Sequence, residues 1–225
     1  MAARSRGIVF PETLFELTRF EHRELFDGGI YVWEALPRLE EYVADIVASS
    51  SSSTSAHVME GATVGGDVIL GENVVVEPHA YVKGPAIIGD GTEIRNGAYV
   101  RDHAVIGRNC IVGHSTEVKH SILMDGVSVS HWNYIGDSIL GFDVNLGAGT
   151  KLSNKKIVKT DIIIRDLNGN PYPTGQQKLG AIIGDGTQVG CNTVLNPGAL
   201  LGKRCLVYPL VSVRGTHPNN RLIKS

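Results

Sequence analysis

Lys83, Arg101 and Lys119 recur at intervals of eighteen residues, and each directly follows a valine, Val82, Val100 and Val118. If that interval returns the chain to the same side of a regular structure, the three side chains form a column. Like charges stacked about 5 Å apart repel, and an anion bound between them would relieve that cost. Such a column suggests the holding of a phosphate; the competing reading is three long cations splayed into solvent. Histidines offer a second chemistry. His103, His114, His120 and His131 fall within one stretch of the chain, and an imidazole, titrating at about 6.5 when unperturbed, can accept a proton at neutral pH or ligate a metal. The segment that starts at His131, "HWNYIGDSILGFDVNLGAGT", has no obvious nucleophile, no metal cluster and no phosphate-binding glycine loop flanked by strand and helix.

The elements that must position these residues show in a six-residue period. Stepping by six from Val58 gives eleven aliphatic residues in succession, ending at Val118. Four residues after each of the first ten stands a small or β-branched residue, from Ala62 to Thr116. A helix turns about 240° in six residues and would scatter these side chains over three faces, so one buried helical stripe is excluded. Short parallel strands joined at tight corners fit the pattern. Three strands make a coil of eighteen residues, stacked on the next at about 4.8 Å. The expected fold is therefore an all-β solenoid, a parallel β-helix of about seven coils, with Val82 and Val100 in one interior column.

The period slips by one residue between Val118 and Leu123 and again between Ile135 and Leu140, and it resumes at Ile183 and runs to Val213. Residues 151–180 form an excursion, a length that in a compact domain is usually functional. Its Asn168-Gly169 pair reads as a hairpin turn, so a short β-ribbon is expected. Ahead of the coils, "PETLFELTRF" and "EALPRLEEYVADIVASS" read as amphipathic helical or loose segments. The expected organisation is an N-terminal appendage over 1–50, a Ser-rich linker over 51–57 and the β-helix domain over 58–225.

Composition narrows the class of partner. A net charge of −2 gives no reason to expect nucleic acid or an anionic membrane. The N-terminus lacks an apolar core of signal-peptide length, and no segment approaches the roughly 20 apolar residues of a membrane span. A cytoplasmic protein is expected. Cys110, Cys191 and Cys205 are an odd, scattered set that forms neither a disulfide framework nor a zinc spacing, and are read as free thiols.

With the period established, "TEVKHS", "SHWNYIGDS", "DVNLGAGT" and "KLGAIIGDGTQVG" resemble the hexapeptide-repeat transferases. More narrowly they resemble the acetyltransferase domain of the bifunctional enzyme that makes UDP-N-acetylglucosamine and its archaeal-type sugar-1-phosphate relatives. The likeness covers roughly residues 58 to 215. It implies a left-handed coil, a homotrimer with active sites between subunits, acetyl-CoA as cosubstrate and an amino-sugar 1-phosphate, glucosamine or galactosamine 1-phosphate, as acceptor. The family's uridylyltransferase half is not in this sequence, so acetyl transfer without pyrophosphorylase activity is implied.

The resemblance also assigns residues. It makes His131 the general base, which answers what a histidine could do there: a thioester is already activated, so no enzyme nucleophile is needed. His114 is expected one coil below His131. Glu117 matches an acid that orients the histidine or holds the amine. Arg101, Lys119 and Lys178 match the sugar-phosphate contacts, Lys83 having no counterpart; Tyr134 and Asn145 match sugar contacts. Asn154 matches an asparagine near the acetyl group whose amide could donate to the thioester oxygen. Ala148, Cys191 and Pro209 match coenzyme A contacts, with Cys191 in place of a serine and Pro209 in place of a small residue. Lys203, Arg204, Arg214, Arg221 and Lys224 are candidates for the adenosine phosphates. Two other functions compete: a γ-carbonic-anhydrase-like zinc enzyme, for which the four histidines lack the expected close pair, and a non-catalytic trimeric sugar-nucleotide scaffold.

Overall fold

The structure, a computed structural model, describes residues 7–28, 30–50 and 55–224. Most of the Ser-rich linker, residues 51–54, therefore lies outside the described residues. From His57 onward the chain winds as a three-sided parallel β-helix whose faces carry nine, eight and eight strands. The first face includes Ile111–His114, Ser128–His131 and Asn145–Leu146; the second Glu117–Lys119, Tyr134–Gly136 and Lys151–Leu152; the third Ala104–Ile106, Ile122–Leu123 and Ile139–Leu140. Val82 lies on Val100, and Val100 on Val118, as the period requires. The nine strands of the first face make more coils than the expected seven, because the ladder continues past Val213 through Thr216–His217 and Leu222–Ile223, where the aliphatic spacing lapses.

Corners follow a common rule. Every described corner between the first and second faces takes one residue at positive φ, including Ser115, Trp132, Gly149, Asn192 and Leu210. Threonines pointing inward at corners satisfy their hydroxyls on backbone, as Thr116 does by donating to the Val129 carbonyl at 3.0 Å. Both register slips fall at the edge between the second and third faces, where the corners holding His120 and Asp137 are one residue shorter than the corner holding Asp102 and His103. The excursion expected over 151–180 begins later, because Lys151–Leu152 still pair as a strand of the second face; it leaves and rejoins the coil at this same edge, where the Leu179 amide donates to the Asn154 carbonyl at 2.9 Å.

The third face is apolar on both sides. Ile88, Ile106, Leu123 and Leu140 point into the solenoid, while Ile87, Val105, Ile122, Ile139, Ile182 and Leu200 point outward and are nonetheless buried. A second core covers them. It is built from the helix Ala35–Ser49, through Leu36, Leu39 and Val43, and from Phe15, Phe20, Phe26 and Trp33. Burying each of these large side chains is worth about 1.5–3 kcal/mol. The N-terminal residues expected as an appendage are thus packed continuously on the solenoid. The excursion contains the expected antiparallel ribbon, Ile163–Arg165 with Pro171–Pro173, turned at Asp166, whose carboxylate accepts the Asn168 and Asn170 amides at 2.8 and 2.9 Å. The ribbon folds back on the chain's own second core through Ile162, Ile164 and the Tyr172 ring, 5.3 Å from Tyr31. Among the described residues of the excursion, Ile157 and Val158 stand clear of it. No described helix is long and apolar enough to cross a membrane.

Candidate active site

The edge between the first and second faces stacks one set of candidates. Backbone donation from Trp132 to His114, from Gly149 to His131, from Asn192 to Ala148 and from Leu210 to Cys191, at 2.8–3.0 Å, puts His114, His131, Ala148 and Cys191 one above the other. Pro209 tops the column, since Val189 pairs with Val207. At about 4.8 Å per rung, His131 and Pro209 lie roughly 14 Å apart along the edge. Burial pushes the Cys110 thiol up to about 12, while Cys191 is exposed and all three cysteines are free.

His114 and His131 pair across adjacent strands of the first face but differ in their bonding. His114 Nδ1 lies 3.1 Å from the Asn96 carbonyl, which can only accept, so Nδ1 carries the proton. Its Nε2 faces the Ser115 hydroxyl at 3.5 Å. The His131 imidazole has no hydrogen bond or ion pair among the described residues; it is exposed and tilted against the Trp132 ring at 6.0 Å. Trp132 is itself 55% exposed. Both His131 nitrogens are therefore open to a ligand.

The second face carries two parallel columns. Tyr99, Glu117, Tyr134 and Lys151 form one, and Arg101, Lys119 and Gly136 the other. The expected cationic column exists, but its repulsion is relieved by carboxylates of the chain itself. Lys83 meets Asp102 at 3.5 Å, Arg101 meets Glu117 at 2.9 Å and Lys119 meets Asp137 at 3.2 Å. A bound anion is thus not needed to hold the column together. The Glu117 hydrogen bond raises the Arg101 guanidinium above its ordinary value. Burial, with the charges of Glu117 and Asp137, raises the Tyr134 phenol.

At the far edge of the second face a buried network forms around Asp137, which is 5% exposed. His120 Nδ1 donates to its Oδ1 at 2.9 Å, Lys119 Nζ lies beside it, and Asn154 Nδ2 donates to Oδ2 and, at 3.2 Å, to the Tyr134 hydroxyl. Burial alone would raise the Asp137 carboxyl, but the His120 and Asn154 hydrogen bonds and the Lys119 charge outweigh it and hold it below the usual range. The network depends on Gly136, because a Cβ there would come 2.6 Å from the Tyr134 hydroxyl and 2.8 Å from Asn154 Nδ2.

Within one chain the candidates therefore fall into separate groups. His131, Ala148, Cys191 and Pro209 share one edge; Arg101, Glu117, Lys119, Tyr134 and Asn154 share the second face and its far edge; Asn145 lies on the first face between Ser128 and Gln188. Lys178 is exposed where the excursion returns, in an isolated antiparallel bridge with Lys155. The histidines divide likewise, His103 with His120 at 6.3 Å on one edge and His114 with His131 on the other. Among the described residues no group of three or more His, Cys, Asp or Glu is gathered to hold a metal ion within the chain. Asp102, Asp137 and Lys151 were not anticipated from sequence; the two register slips beside His120 and Asp137 were the available signal.

A family model described as the GMPPB C-terminal domain matches residues 82–168. The bifunctional sugar-1-phosphate nucleotidylyltransferase/acetyltransferase of Sulfurisphaera tokodaii is 34% identical over 158 residues, covering 70% of this chain and 39% of that protein. The bifunctional protein GlmU of Methanococcus maripaludis is 36% identical over 175 residues, covering 78% of this chain and 41% of that protein. The chain thus spans about two fifths of the length of these curated relatives. A solved structure of UDP-N-acetylglucosamine acyltransferase from Campylobacter jejuni is similar at 18% identity and a TM-score of 0.41, covering 75% of this chain and 74% of that one. Its six-residue period and stacked parallel strands make the chain a hexapeptide-repeat parallel β-helix, similar in sequence to the bifunctional sugar-1-phosphate nucleotidylyltransferase/acetyltransferase and GlmU proteins.

Proposed function

We propose that the chain is an acetyl-CoA-dependent N-acetyltransferase acting on an amino-sugar 1-phosphate, glucosamine or galactosamine 1-phosphate, in the making of a nucleotide sugar. The observation that carries the reading is the unengaged His131 imidazole at the foot of the Ala148, Cys191 and Pro209 column. The amine nitrogen attacks the thioester carbonyl carbon, its proton passes to a ring nitrogen of His131, and the C=O pair moves onto oxygen. On collapse the C–S bond breaks, and the proton held by His131 goes to the departing thiolate. This needs a base, a phosphate holder and an oxyanion donor. Arg101, Lys119 and Lys178 are the phosphate holders, Tyr134 and Asn145 sugar contacts, and Glu117 the acid that fixes Arg101.

The separation of these groups over two faces supports a site completed between copies of the chain, in a homotrimer. The third face is already covered by the N-terminal core, so the assembly uses the first and second faces. Incubation with acetyl-CoA and a panel of amino-sugar 1-phosphates, read by coenzyme A release and by the mass of the acetylated sugar, tests the activity. Light scattering tests the trimer. No acetylated product from any amino-sugar 1-phosphate, or a monomer at micromolar concentration, would contradict the respective claim.

A further inference from the structure

Lys151 stands directly above Tyr134 in the second face. Its ammonium donates to the Trp132 carbonyl at 2.6 Å and to the Gly149 carbonyl at 2.9 Å. Those residues follow His131 and Ala148, the two rungs between which an acyl group lies if His131 is the base and Ala148 borders the donor. Lys83, Arg101, Lys119 and Lys203 each lie within 4 Å of a carboxylate; Lys151 has no such partner among the described residues. Partial burial lowers its ammonium, with no acid beside it to oppose the shift.

An ammonium has three N–H donors. Two are committed here to carbonyls whose rungs are themselves fixed, Trp132 by its donation to His114 and Gly149 by its donation to His131. The side chain is therefore held in one place, and its third N–H is directed away from the two carbonyls, on an exposed residue. Asn154, which the family resemblance nominates for the acyl oxygen, has its amide engaged by Asp137 and Tyr134 at the opposite edge of the face.

We propose that Lys151 is the donor to the acyl oxygen, its remaining N–H donating to the oxygen on which charge develops as the amine attacks; this rests on the acetyltransferase reading above. As the N–C bond forms, the π pair moves onto oxygen, which accepts the Lys151 hydrogen bond without taking its proton. As the C–S bond breaks, the oxygen becomes an amide carbonyl and Lys151 is unchanged. A fixed cation at that point acts in the transition state more than in the ground state.

The test uses the full chain and the variants Lys151→Met, of similar length but without donors, and Lys151→Arg. Lys151→Met should lower kcat about 10²-fold with both KM values within about threefold of the parent, and Lys151→Arg should recover about tenfold of that loss. Should Lys151→Met fail to fold, Lys151→Leu, likewise without donors, takes its place and is read in the same way. Turnover within about threefold of the parent would overturn the proposal, as would no recovery with arginine. A loss confined to raised KM values with a lowered thermal midpoint would also overturn it, because that marks a staple that only holds the edge. A parent inactive on every amino-sugar phosphate would overturn the acetyltransferase reading and this proposal together; an active parent, silenced by His131→Ala but not by Lys151→Met, would overturn the role of Lys151 alone.

Discussion

His131 lies directly above His114 in adjacent strands, yet of the two imidazoles the lower is tied to the Asn96 carbonyl and the Ser115 hydroxyl while the upper has no polar partner among the described residues. Stacking gives the two rings the same outlook, and hydrogen bonding separates their uses. A ring locked in one tautomer at a corner ties its rung to the one below; a ring with both nitrogens open can exchange a proton. His114→Asn should therefore leave turnover within about fivefold of the parent, far from the 10²-fold or greater loss of a general base. Steady-state kinetics on the purified variant check this, and a loss of base-like size would assign the proton transfer to His114.

Arg101 and Lys119 are expected to act on a group present in both ground and transition states. Alanine at either position should raise KM for the amino-sugar phosphate about 10- to 100-fold and leave kcat within about threefold. The KM for acetyl-CoA should not move. A fall in kcat without a change in KM would instead place these cations at the reacting carbonyl.

Asp137 makes the stability of the fold pH-dependent. Its folded carboxyl is held low, so its contribution is fully present above the ordinary aspartate value of about 3.9 and is lost as pH falls through the lower folded value. Asp137→Ala leaves Lys119, His120 and Asn154 without their acceptor and should cost about 2–4 kcal/mol at pH 7. Thermal melts of parent and variant should converge in strong acid. Equal melting points at pH 7 would show that the network contributes nothing.

The N-terminal segment should behave as core. Leu39 is fully buried against the outer side of the third face, and Leu39→Ala should cost about 2–5 kcal/mol in chemical denaturation. Removal of residues 1–50 should yield insoluble protein, because the outward isoleucines of that face would be bared. A soluble, cooperatively melting truncation would show that the segment is dispensable.

Much of this was legible in the sequence, and the reasons differ by feature. A period of six fixes which side chains point inward, so the interior column from Val64 to Val213 could be read without coordinates. The doubled aliphatic pairs Ile87-Ile88, Val105-Ile106, Ile122-Leu123, Ile139-Leu140, Ile182-Ile183 and Leu200-Leu201 recur on every third strand and already imply a face buried on both sides. The period alone did not say what covered it. The charge pairs were harder. Glu117 and Asp137 reach Arg101 and Lys119 across neighbouring coils, at separations of 16 and 18 residues, and the second separation spans the shortened corner at His120. Lys151 carries no motif, and its two carbonyl partners are backbone atoms to which a sequence gives no clue.

The most direct test of the account is the turnover of His131→Ala with acetyl-CoA and an amino-sugar 1-phosphate that the parent acetylates, with both ligands' binding measured in parallel. The account predicts a fall in kcat of about 10² to 10⁴-fold with binding of both ligands largely intact. Turnover close to the parent's would contradict it and place the base elsewhere.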